Sequence, residues 1–71
     1  MIIFYKRYSF EEDWKEVGTL DNSGKYTGDK KTKETIDQMV ETYKLDLTKK
    51  EDQSGLRSLM SGTYIEALEV D

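Results

Sequence analysis

The chain has 71 residues and contains no cysteine, histidine or proline. Without thiols or imidazoles it lacks disulfide staples, the usual ligands of zinc and the usual base of a nucleophilic triad. Its 15 acidic residues outnumber 11 basic ones, a net charge of −4; that balance disfavours general attraction to phosphate backbones or anionic membranes.

So short a chain predicts one domain with a thin core, completed by good local packing, self-association or a partner. No apolar run approaches bilayer length, and the start, Met1-Ile2-Ile3-Phe4-Tyr5-Lys6-Arg7, is too short for a signal sequence. A cytoplasmic protein is expected, with no membrane association.

In chain order, Ile2–Tyr8 mixes β-branched and aromatic residues and predicts a strand. Ile2, Phe4 and Tyr8 would share one face and Ile3, Tyr5 and Arg7 the other, so both faces carry apolar residues and the strand belongs inside the sheet. Ser9-Phe10-Glu11-Glu12 has the form of a capping box, which favours a loop or single helical turn over residues 9–13. Phe10, Trp14 and Val17 also fall at helical spacing, an alternative for this stretch. The favoured reading is a strand over Trp14–Leu20, a turn at Asp21-Asn22-Ser23-Gly24 and a return strand from Lys25.

From Asp29 a helix is expected, with Asp29 or Thr32 as its cap and Ile36, Met39, Val40 and Tyr43 on its inner face. Leu45-Asp46-Leu47 breaks it. Thr48-Lys49-Lys50-Glu51 offers a second capping box before a shorter helix that turns Leu56, Leu59 and Met60 inward. Ser61-Gly62 ends that helix, and Thr63–Val70 predicts a last strand. The expected fold is therefore α+β, a small two-layer domain in the order β-β-β-α-α-β. Its sheet has three to four antiparallel or mixed strands, with two helices on one face and the first and last strands side by side at the centre. The other face is left to tyrosines and charges, with Tyr5, Tyr8, Tyr26 and Tyr64 as its candidates.

Chemistry is sparse. With only oxygen ligands a metal site would suit calcium or magnesium, yet in an EF-hand register built on Gly24 the first ligand is Thr19 and the terminal glutamate is Lys30. Gly24-Lys25 lacks the flanking residues of a phosphate loop. The carboxylates of Glu11, Glu12, Asp13 and Glu16 are adjacent, but adjacent solvated carboxylates are no acid–base pair unless burial splits their pKa values. No enzyme, metal or cofactor is expected.

What remains is recognition. Trp14, the one tryptophan, lies inside an acidic run. In a chain with few large side chains the ordinary expectation is core, whereas a tryptophan ringed by charge has the make-up of an interface anchor and its rim. The leading expectation is a protein-binding or regulatory module. It would use Glu11, Glu12, Asp13, Trp14, Glu16, Glu66 and Glu69 against a partner with a basic surface, as small inhibitors that mimic nucleic-acid charge do, phage-encoded ones included. Reversing Glu12 and Glu16 to lysine should then abolish binding. One alternative is a helix-turn-helix nucleic-acid binder using Lys6, Arg7, Lys49, Lys50 and Arg57; the acidic balance and the Glu51-Asp52 pair oppose it. Another is a structural homo-oligomer, a homodimer in the simplest case.

Overall fold

Alternation along the first strand sets the architecture. In a computed structural model, which describes residues 1–70, strand β1 (Ile2–Lys6) buries Ile2 and Phe4 and turns Ile3 and Tyr5 the other way. Strand β2 (Lys15–Leu20) and strand β3 (Tyr26–Gly28) follow, then helix α1 (Lys30–Tyr43), helix α2 (Lys50–Met60) and strand β4 (Ile65–Glu69). The sheet is antiparallel throughout, in the order β3-β2-β1-β4. The α+β order is the expected one. β1 and β4 are neighbours, but β1 is interior and β4 is an edge, so the last strand does not share the centre.

Both helices lie on one face. Ile2, Phe4, Leu20 and Ala67 from the sheet meet Ile36, Leu56 and Met60 from the helices, and all seven are buried. Each large member stabilises the fold by about 2–3 kcal/mol relative to exposure. Gln53 joins Leu56 and Met60 on the buried stripe of α2, whereas Leu59, expected inward, is exposed. The Gln53 side-chain amide donates to Asn22 O at 3.1 Å and Leu47 O at 2.7 Å, tying the β2–β3 turn to the α1–α2 connection. At that turn Gly24 has φ +91°, and a Cβ there would overlap the Leu47 carbonyl.

The helix starts differ from each other. Asp29 caps α1, its carboxylate accepting from Thr32 N and Thr32 Oγ1, both at 2.9 Å. At α2 the second predicted capping box does not form. Lys49 and not Thr48 stands at the cap and makes no side-chain bond, while Thr48 Oγ1 donates to Asp46 Oδ1 at 2.6 Å. At residues 9–13 the chain turns without a regular helix, with Glu12 N bonded to Ser9 O. The Glu12 carboxylate reaches back to Tyr8 N at 3.1 Å instead of the Ser9 amide that a capping box requires.

One irregularity decides what the far face displays. β1 and β2 pair residue for residue from Ile2–Leu20 to Phe4–Gly18, then the register slips, so that Tyr5 faces Glu16 and Lys6 faces Lys15. Val17 is the extra residue of a β-bulge. Its carbonyl accepts from Asp29 N at 2.8 Å and from the Tyr26 hydroxyl at 3.3 Å. Gly18 has no Cβ because the Tyr26 hydroxyl and ring edge lie directly over it.

Candidate functional site: the open face of the sheet

The helices leave the second face of the sheet uncovered, and the bulge populates it. Uninterrupted alternation back from Leu20 would send Gly18, Glu16 and Trp14 to the helix side. The extra residue at Val17 turns Glu16 and Trp14 over, so both join Tyr5 and Arg7 on the open face.

The face reads as rows across β2, β1 and β4. At one end Arg7 lies between Trp14 and Tyr64, its amide bonded to Tyr64 O at 3.1 Å. The guanidinium carbon is 4.3 Å from the Trp14 ring centroid and 5.2 Å from that of Phe10. Phe10 in turn stacks on Tyr64 at 5.8 Å. Arg7 Nε donates to Thr63 O at 3.0 Å, which fixes the guanidinium among the rings. The next row is Glu16–Tyr5–Glu66, and the one beyond is Thr19–Ile3–Leu68.

Much of this surface is apolar and solvent-facing: Phe10 is 69 % exposed, Tyr64 49 %, Leu68 47 % and Trp14 36 %. Trp14 is therefore a surface residue and not core. Of the other tyrosines, Tyr5 and Tyr64 lie on this face, whereas Tyr26 packs in the core layer against Phe4, ring centroids 6.0 Å apart. Tyr8 lies in the loop beyond β1.

The acidic candidates divide. Glu11, Glu12 and Asp13 are exposed in the loop that borders the aromatic end, and Glu16 and Glu66 flank Tyr5. Glu12 is committed to the Tyr8 amide. Glu69 is not brought to this face: it pairs opposite Ile2 and lines a surface cavity of about 310 Å³ with Thr48, Lys50 and Gln53.

The basic candidates are spread over several places. Lys6 turns toward the helix side, 3.5 Å from Asp29, while Arg7 is held by rings on the opposite face. Lys49 and Lys50 stand at the start of α2 and Arg57 near its end, where the Arg57 Nε is buried without a hydrogen-bond partner among the described residues.

Sequence reasoning missed the role of Arg7, Phe10 and Tyr64 as one cluster with Trp14. The alternation of Tyr5 and Arg7 was a signal for it; the bulge that brings Trp14 alongside has none. Among the described residues no three acidic side chains are grouped to hold a metal ion, and no helix is long and apolar enough to cross a membrane. No family model, no curated protein and no solved structure matches this chain.

Proposed function

We propose that the chain is a non-enzymatic protein-binding module that docks a basic partner surface on the open face of its sheet. The observation that carries the reading is the exposed stack of Trp14, Arg7, Phe10 and Tyr64, which gathers just beyond the ends of β1, β2 and β4 and is not used in the core. Aromatic residues and arginine are the residue types that dominate binding energy when a partner covers them. An apolar centre with a charged rim is the usual anatomy of an interface.

Charge supplies the sign of the partner. The face and its bordering loop carry five carboxylates, Glu11, Glu12, Asp13, Glu16 and Glu66, against the single guanidinium of Arg7. That difference equals the whole net charge of −4, and the other ten acids and ten bases of the chain cancel. Such a face attracts a positive surface, speeds its approach and loses that advantage as salt rises. A module of this kind acts by occupying a site on its partner.

The test is capture of proteins from cognate lysate on the tagged chain after nuclease treatment, beside a Trp14→Ala variant. A protein retained by the native chain, released by salt and lost with the variant supports the reading. Capture that disappears with nuclease contradicts it, as does capture untouched by Trp14→Ala.

A further inference from the structure

We infer that Glu66 closes the free edge of β4 to strand pairing by a second copy of the chain. This closure is independent of the protein-binding reading, since it concerns the rim of the sheet and not its open face.

An edge strand presents unpaired amides and carbonyls, a template on which another strand can add. At one end of the sheet β3 is only three residues long and offers little to pair with. At the other end β4 has five residues, and among the described residues no strand lies beyond it.

The pairing of β4 fixes which of its groups turn outward. Arg7 N donates to Tyr64 O at 3.1 Å and Val70 N to Met1 O at 2.8 Å. Between them Tyr5 stands opposite Glu66 and Ile3 opposite Leu68. Tyr64, Glu66, Leu68 and Val70 therefore direct their backbone groups to β1, and Ile65, Ala67 and Glu69 direct theirs to the edge.

Two of the outward groups are already occupied. Ile65 O accepts from Gly62 N at 2.7 Å, in the turn that leads into the strand. Ala67 N donates to Glu66 Oε1 at 3.3 Å, and Ser61 Oγ lies 3.3 Å from the same oxygen. The Glu66 side chain thus leaves β4 on the side of Tyr5, yet its carboxylate ends at the rim.

An antiparallel neighbour exchanges two bonds with each outward residue that it faces. It would find one of the two taken at Ile65 and one at Ala67. At Ala67 it would also bring a carbonyl oxygen to the place where a carboxylate oxygen stands. Two copies paired along the whole of β4 about a two-fold axis set Ala67 against Ala67, so they meet that obstacle twice.

The test compares variants by translational diffusion in NMR over a concentration series, with hydrogen exchange of the Ala67 amide. Glu66→Val removes the acceptor and supplies a strong strand former. Glu66→Gln removes the charge and keeps an acceptor. Glu16→Val makes the same change beside Tyr5 on the interior strand β2, and so controls for a more apolar open face.

The native chain, Glu66→Gln and Glu16→Val are expected to diffuse as monomers throughout. In dilute Glu66→Val the Ala67 amide exchanges about threefold faster than in the native chain. As concentration rises, its apparent mass doubles and that amide becomes protected. Glu66→Ala repeats the test without added apolar bulk, should the valine variant not fold.

Monomeric diffusion of the folded variants at every concentration overturns the inference. Equal association of Glu16→Val overturns it in favour of the open face. Equal association of the native chain or of Glu66→Gln shows that the carboxylate bond closes nothing.

Discussion

Trp14 lies against Arg7 across the β1–β2 pair, the guanidinium carbon 4.3 Å from the ring centroid. The contact exists because Val17 is an extra residue in β2, which turns Trp14 away from the helices. A lone tryptophan that would serve a thin core as a large apolar side chain is instead spent on the outer face of the sheet. Arg7→Met keeps the length of the side chain and removes its charge. We expect a stability cost of about 0.5–1 kcal/mol and a Trp14 ring that acrylamide quenches more readily. Quenching identical to that of the native chain would show that the stack does not hold in solution.

Gly18 pairs with Gly28 across β2 and β3, with the Tyr26 ring edge occupying the space of a side chain. Gly18→Ala therefore forces Tyr26 off the Val17 and Asp29 carbonyls to which it donates. Urea unfolding should show a loss of about 1–3 kcal/mol, the usual cost of overpacking.

Gln53 joins the Asn22 and Leu47 carbonyls from a position that is only 8 % exposed. Gln53→Ala leaves two carbonyls short of a donor, and a loss of about 1–3 kcal/mol is expected. Hydrogen exchange should rise first in the Asp21–Lys25 turn and the Leu45–Lys49 connection; a uniform rise across the sheet would assign Gln53 a different role.

Acid should loosen the turns before the core. The carboxyl of Asp21 is held below its ordinary value of 3.8 chiefly by the Ser23 hydroxyl. Asp29 is lowered chiefly by the Thr32 amide, and Asp46 chiefly by the Thr48 hydroxyl. A carboxylate whose pKa is depressed on folding contributes stability above its unfolded value, and that contribution is lost as pH falls through the lower, folded value. Thermal stability should thus fall as pH drops below about 4. Asp29→Asn should reduce the size of that fall; an unchanged acid response would remove Asp29 from the account.

How much of this was legible beforehand depends on range. Asp21-Asn22-Ser23-Gly24 reads as a turn because the hydrogen bonds that make it one are local, and Asp21 Oδ1 accepts from Ser23 and Lys25 within four residues. The spacing of Ile36, Met39 and Val40 likewise fixes the inner stripe of α1, whereas Tyr43, read into the same stripe, is exposed. Thr48 misleads, since it belongs to the turn before the helix, where its amide and hydroxyl both donate to Asp46 Oδ1, and the cap falls on Lys49. Leu59 misleads because the buried stripe of α2 runs through Gln53, Leu56 and Met60, its first member a polar residue whose partner Asn22 is far away in sequence. The open face was expected as tyrosines and charges, and Tyr5, Tyr64, Glu16 and Glu66 are there. The stack of Arg7, Trp14 and Phe10 was not expected, because it follows from the bulge at Val17, whose carbonyl is met by donors from Tyr26 and Asp29 beyond the next turn.

The central claim is that an acidic, aromatic face binds a basic partner protein, and charge reversal on that face tests it most directly. Glu12 is unsuited because its carboxylate closes the loop onto Tyr8 N. The variant should carry Glu11→Lys, Asp13→Lys and Glu16→Lys, with its fold checked by circular dichroism. Capture from nuclease-treated lysate is then compared with that of the native chain. The account predicts that the folded variant loses the protein which the native chain retains. A folded variant that captures the same protein to the same extent would contradict it.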